Sequence, residues 1–111
     1  NLSSLRQGEK LNLELSLTLS SPLSGHFVTG HIDSQGKVLK VSEKKPGKRM
    51  TISFPSELRP YFIPKGSVAL NGASLTVADL RASSLEVELI PITLKNSNLG
   101  DLKSGDTVNI E

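Results

Sequence analysis

Apolar residues recur at every second position through short stretches of this chain, and turn chemistry separates one stretch from the next. That rhythm belongs to strands with one buried face, and it leaves few other folds open. Leu11, Leu13, Leu15 and Leu17 alternate with Asn12, Glu14, Ser16 and Thr18, and Val28 and Ile32 alternate with Phe27, Thr29 and His31. Short strands are also expected at Val38 to Val41, Met50 to Phe54, Ser67 to Leu70, Ala73 to Leu80, Ser84 to Ile90 and Thr107 to Glu111. Ser34-Gln35-Gly36, Lys45-Pro46-Gly47, Pro64-Lys65-Gly66 and Ser104-Gly105-Asp106 carry turn residues. Asn71-Gly72, between two strand patterns, is a hairpin signal. Helix is scarce: a turn or two at Ser56 to Tyr61, limited by Pro60, and another stretch at Leu94 to Leu102. Many short strands in a single domain predict an all-β chain closed into a small barrel.

Composition narrows the function. The chain has 111 residues, of which 36% are apolar and 22% charged, so neither a disordered tail nor a membrane protein is expected. No apolar run approaches the roughly 20 residues of a membrane helix, and none resembles a signal peptide. Thirteen basic residues against 11 acidic ones leave a net charge of +2. With no Trp, one Tyr and three Phe, little aromatic surface is left for stacking on nucleic acid bases. The densest basic stretch, Lys44, Lys45, Lys48 and Arg49, flanks Pro46-Gly47 and reads as a solvated hairpin tip. The absence of cysteine excludes disulfides, thiol nucleophiles and thiolate zinc sites. His26 and His31 are five apart, on opposite faces of a regular strand, so they are not expected to share a metal. A soluble cytoplasmic domain without nucleic acid, membrane or metal partners is expected.

The two ends of the chain repeat each other. Residues 1–14 lie over residues 98–111 with six identities in 14 positions, namely Asn1/Asn98, Leu2/Leu99, Leu5/Leu102, Gly8/Gly105, Asn12/Asn109 and Glu14/Glu111. The offset of 97 residues is the length of one repeat unit. With no initiator Met, the chain reads as a piece of a two-domain protein, in which residues 1–22 end a missing first barrel and residues 23–111 form the second.

Several motifs, in order and spread over the chain, resemble the second barrel of riboflavin synthases. They are Gly25-His26-Phe27-Val28-Thr29-Gly30-His31-Ile32-Asp33, Pro64-Lys65-Gly66-Ser67-Val68-Ala69, Asn71-Gly72-Ala73-Ser74-Leu75-Thr76-Val77, Leu89-Ile90-Pro91-Ile92-Thr93-Leu94, Leu99-Gly100-Asp101-Leu102 and Val108-Asn109-Ile110-Glu111. The resemblance implies a six-stranded antiparallel Greek-key barrel with one or two short helices, and a homotrimer for the full-length protein. It implies a transferase of riboflavin biosynthesis that dismutates two molecules of 6,7-dimethyl-8-ribityllumazine into riboflavin and 5-amino-6-ribitylamino-pyrimidinedione. No cofactor is implied, because the substrate's own ring system delocalises the carbanion formed at its C7 methyl. Each barrel is expected to bind one ribityllumazine, the composite site joining one subunit's first barrel to another's second. The isolated chain is therefore expected to be inactive. Lumazine-type antenna proteins share the fold and hold a lumazine or flavin without chemistry, which gives a non-catalytic alternative. A purely structural second barrel is a third reading.

Within that resemblance His31, Ser74 and Thr76 are the candidate catalytic residues. Ser74 and Thr76 share one strand face while Leu75 and Val77 point into the barrel, and each hydroxyl both donates and accepts, as a pteridine edge requires. An imidazole is the side chain suited to accepting a proton near neutral pH, which is the role expected of His31, whereas His26 reads as structural, holding the entry of the strand. Ligand contacts are expected from Thr29, Gly30, His31, Ile32, Gly72, Ala73, Ser74 and Thr76, and from Ile90, Pro91, Ile92 and Thr93, which are expected to end a strand. Ile92 stands where family members usually carry a polar residue. Asn109 and Glu111, and their copies Asn12 and Glu14, read as solvated strand residues.

Overall fold

The structure, a computed structural model, describes residues 2–3 and 5–111. Six strands, β1 (Ser34–Lys44), β2 (Gly47–Ser53), β3 (Ser67–Leu70), β4 (Ala73–Leu80), β5 (Ser84–Leu89) and β6 (Thr107–Ile110), close into one antiparallel barrel. The order round the barrel is β1-β2-β5-β4-β3-β6, so the expected six-stranded fold is present. Ser56–Tyr61 forms a 3-10 turn, Pro91–Asn96 a short helix α1, and Asn98–Asp101 a second 3-10 turn.

Alternation drives the packing. On β2, Met50 and Ile52 are fully buried while Arg49, Thr51 and Ser53 are half-buried on the outside. Ile52 sits across from Val38 on β1 and from Leu85 on β5, so three strands meet in one apolar layer. Phe54 and Phe62 join the buried core, their ring centroids 4.7 Å apart in a tilted pair. Leu39 is an extra residue at a bulge in β1, which leaves it half-exposed between buried Val38 and half-buried Val41. A second bulge follows Val77 on β4. Bulges of this kind bend a strand and raise its twist, which a barrel of six short strands needs to close.

The hairpins at Lys45-Pro46 and Asn71-Gly72 and the turn at Ser104-Gly105 sit where turn chemistry puts them. Asn71 and Gly72 have φ of 48° and 81°, the left-handed pair of a tight two-residue hairpin. Ser34-Gln35-Gly36 departs from the sequence reading: it is the start of β1, paired with Ile110, Asn109 and Val108 of β6. Gly36 serves close approach there instead of a turn, since a Cβ would stand 2.5 Å from the Ser53 carbonyl oxygen and 2.6 Å from Ile110.

Two expected strands do not form. Residues 11–17 are irregular, with Leu13 and Leu15 90% and 92% exposed. The alternation is real, but every strand of a closed barrel already has both neighbours, so no edge remains to receive it. Residues 27–32 are irregular too. Gly25 and Gly30 hold φ of 98° and 82°, which turns the chain out of the extended form and carries it across the barrel wall. The strand-face argument that separated His26 from His31 therefore does not apply to them. The α1 helix begins at Pro91 and stops at Ser97, earlier than the stretch at Leu94 to Leu102 suggested, because Pro at the first helical position starts it. Among the described residues no helix is long and apolar enough to cross a membrane.

Candidate ligand-binding site

Residues 12–17 and 22–30 run outside the barrel and, with the Asn71-Gly72 hairpin and the start of β4, enclose a cleft of about 630 Å³. The outer segments are tied to the barrel at a few polar points. Asn12 donates from Nδ2 to the Asn71 carbonyl at 2.9 Å and to Asn98 Oδ1 at 3.0 Å, and its own Oδ1 accepts from the Asn98 N–H at 2.7 Å. Asn71 in turn donates to Asn98 Oδ1 at 3.3 Å and accepts the Asn109 N–H at 2.8 Å. Asn12 and Asn109, equivalent in the repeat, thus both bond to Asn71. Lys10 pairs with Asp101 on the surface, a bond that lowers the Asp101 carboxyl below its usual range.

The stretch 25–31 is held by two anchors. His26 Nδ1 lies 2.7 Å from Ser74 Oγ. Gly25 packs directly over the same serine, where a Cβ would stand 2.5 Å from Ser74 Oγ, so glycine is required for the crossing. The second anchor is Glu111. Its Oε1 accepts the Thr29 N–H at 2.6 Å and the Thr29 hydroxyl at 3.0 Å, and its Oε2 accepts the Gly30 N–H at 3.0 Å. Burial alone pushes the Glu111 carboxyl up, but the three donors, together with nearby His31, outweigh it and hold the carboxyl below its ordinary value. Thr29 Oγ1 lies 2.9 Å from His31 Nδ1, so Glu111, Thr29 and His31 form one chain.

The candidate residues fall into four groups. Thr29, Gly30, Gly72, Ala73 and Ser74 come together in the cleft. His31 and Ile32 line an adjoining, more open depression that shares Gly30 with it. Thr76, on the same face as Ser74, is exposed beyond both, while Leu75 and Val77 point inward as the alternation requires. Ile90, Pro91, Ile92 and Thr93 lie outside the cleft: β5 ends at Leu89 and these residues cap and open α1. Thr93 reaches the cleft only through its carbonyl, which accepts the Ser97 hydroxyl at 2.7 Å and the Ser97 N–H at 3.1 Å, and Ser97 is a lining residue.

Sequence reasoning set Asn12 and Glu111 aside as solvated strand residues and His26 as structural. The signal was present for two of them, since Asn12/Asn109 and Glu14/Glu111 are identities in the repeat. Glu111 departs from the solvated role expected for it, being half-buried with three donors on its carboxylate. The basic stretch is also less free than a hairpin tip suggests. Lys44 and Arg49 both pair with Glu88 on β5, holding its carboxyl down to about 2, and Arg49 also reaches Glu86 at 3.3 Å.

Comparison with known proteins gives this geometry a family. Residues 29–111 match the model of the lumazine binding domain. The chain is 43% identical to the riboflavin synthase of Brucella abortus over 110 residues, 99% of this chain and 54% of the relative. It is 38% identical to the riboflavin synthase of Mycobacterium tuberculosis H37Rv over 114 residues, 100% of this chain and 57% of the relative. The chain therefore spans about half the length of the curated relatives it matches. Among solved structures, LumP complexed with riboflavin superposes with a TM-score of 0.76 at 23% identity, over 82% of this chain and 50% of that one. LumP complexed with 6,7-dimethyl-8-(1'-D-ribityl) lumazine gives 0.71 at 22% identity, over 77% and 48%. These two likenesses establish the shared barrel. From a family match that runs from Thr29, on the rim of the cleft, to Glu111, which holds that rim in place, the chain belongs to the lumazine-binding domain family.

Proposed function

We propose that the chain is the second ribityllumazine-binding barrel of a riboflavin synthase, with residues 1–22 ending a first barrel and residues 23–111 forming the second. The observation that carries this reading is the coincidence of the family match with the cleft: Thr29, Gly30, Gly72, Ala73 and Ser74 lie within residues 29–111 and line one cavity. Backbone groups at Gly30 and Gly72 and the hydroxyls of Thr29 and Ser74 offer the donors and acceptors that a pteridine edge and a ribityl chain require.

The reaction needs two lumazine rings held face to face, and proximity supplies much of its rate. One ring sits against this barrel, and the other against the first barrel of another subunit in a homotrimer. His31 accepts the proton that leaves the C7 methyl, a step suited to an imidazole. Ser74, braced by His26, orients the ring. No metal or cofactor takes part, since the pteridine delocalises the carbanion.

The test is complementation. The chain alone, mixed with 6,7-dimethyl-8-ribityllumazine, is expected to release no riboflavin. Adding the first barrel of the Brucella abortus relative as a separate chain is expected to restore production, and His31→Ala in this chain to abolish it. Binding without restored production points to a non-catalytic antenna module. Turnover by this chain alone, at the rate of a two-barrel enzyme, contradicts the composite site.

A further inference from the structure

Glu111 directly follows β6, pairing through its backbone with Ala69, and its carboxylate faces Thr29 and Gly30. A carboxylate only accepts, so the Thr29 hydroxyl, 3.0 Å from Oε1, donates its single proton to Glu111. The same hydroxyl oxygen lies 2.9 Å from His31 Nδ1 and has only lone pairs left to offer there. His31 must then carry a hydrogen on Nδ1. In the neutral ring this leaves Nε2 as a bare lone pair.

We infer that Glu111 is a positioning residue, which acts through the Thr29 hydroxyl to fix the Nδ1–H tautomer of His31 and present Nε2 as the proton acceptor. The inference rests on the reading that His31 faces a bound ribityllumazine, and it adds how the ring is set for the task. A neutral histidine side chain in water favours the opposite tautomer, with hydrogen on Nε2, which cannot take a proton at that atom. Fixing the tautomer by the bond made at the other nitrogen is the usual way a protein assigns the two. The geometry also divides the roles of the two histidines: His26 is bonded to Ser74 and His31 to Thr29, so one braces the cleft wall and the other is left poised.

The experiment is long-range proton–nitrogen NMR on the labelled chain at alkaline pH, where each neutral imidazole reports which nitrogen is protonated. Wild-type His31 is expected as the Nδ1–H form. Thr29→Ser, which keeps a hydroxyl, is expected to retain it. Thr29→Val has the same shape, and it leaves the Glu111 bonds to the Thr29 and Gly30 N–H groups in place. It is nonetheless expected to turn His31 over to the Nε2–H form. Dispersed barrel amides in the same spectra establish that each variant is folded. An Nε2–H ring in wild type, or an unchanged Nδ1–H ring in folded Thr29→Val, overturns the inference. A parallel titration with 6,7-dimethyl-8-ribityllumazine separates the two levels. Saturable binding that leaves the His31 ring signals unmoved overturns the placing of His31 at the ligand, whatever its tautomer. Where His31 does respond, Thr29→Val is expected to weaken binding by about tenfold, the size of one hydrogen bond.

Discussion

Replacing Asn12 with alanine tests how the segment outside the barrel is attached. Asn12 makes three hydrogen bonds to two residues, at 2.9 Å to the Asn71 carbonyl, 3.0 Å to Asn98 Oδ1 and 2.7 Å from the Asn98 N–H. A net contribution of about 1 kcal/mol each sets an upper figure of about 3 kcal/mol. The site is half-buried, so water replaces part of what is lost, and the cost falls to about 2 kcal/mol. The barrel's own ladder is untouched, so the loss belongs to local opening of residues 5–17 and not to global unfolding. The assay is native-state hydrogen exchange at the Asn98 amide, whose acceptor is Asn12 itself. About 2 kcal/mol corresponds to exchange roughly 30-fold faster in Asn12→Ala. The melting temperature of the barrel is expected to stay within the few degrees that a change of about 1 kcal/mol produces in a domain this size. Asn98 protection that is unchanged, or a fall in melting temperature that tracks the exchange, refutes the attachment through Asn12. Because Asn12 also lines the cleft, lumazine binding is expected to weaken in the same variant.

Other consequences follow from single contacts. Gly25→Ala puts a Cβ 2.5 Å from Ser74 Oγ and holds an L-residue at φ of 98°; it is expected to break the His26–Ser74 bond and abolish ligand binding by fluorescence titration, while the barrel still melts cooperatively. Ile52→Ala removes a fully buried side chain facing Val38 and Leu85, and denaturant unfolding is expected to show a loss of about 2–5 kcal/mol. Glu88 titrates at about 2 beside Lys44 and Arg49, against an ordinary 4.5, so its stabilisation is complete above about pH 4.5 and is lost as pH falls toward 2. Wild type and Glu88→Gln are therefore expected to differ in urea stability at pH 6 and to converge near pH 2, by an amount kept small by the exposure of the group. Equal stabilities at pH 6 contradict the pairing.

How much of this was legible depends on whether local pattern or long-range pairing decided the outcome. Met50 to Phe54, Ala73 to Leu80 and the Asn71-Gly72 hairpin were readable because alternation and turn chemistry agree with the fold. Ser34-Gln35-Gly36 was misread, since glycine at a crowded strand pairing and glycine at a turn look alike in a sequence. Leu11 to Leu17 has a strand's pattern but no partner, and a pattern cannot state whether an edge is free. In the cleft, Thr29, Gly30, Gly72, Ala73 and Ser74 were found, chiefly from the resemblance. Ile90 to Thr93 were set at a strand end, but Pro91 begins a helix there and the lining passes to Asn96 and Ser97. Glu111 was read as a solvated strand residue because its donors lie 81 and 82 residues away, which no local pattern reveals.

The most direct measurement is an amide NMR titration of this chain with 6,7-dimethyl-8-ribityllumazine, in which each shifted signal locates the ligand. A ribityllumazine-binding barrel predicts saturable shifts clustered at Thr29, Gly30, Gly72 and Ser74, with the hairpin at Lys45 unmoved. A folded chain that shows no saturable shifts, or shifts gathered away from the cleft, contradicts it.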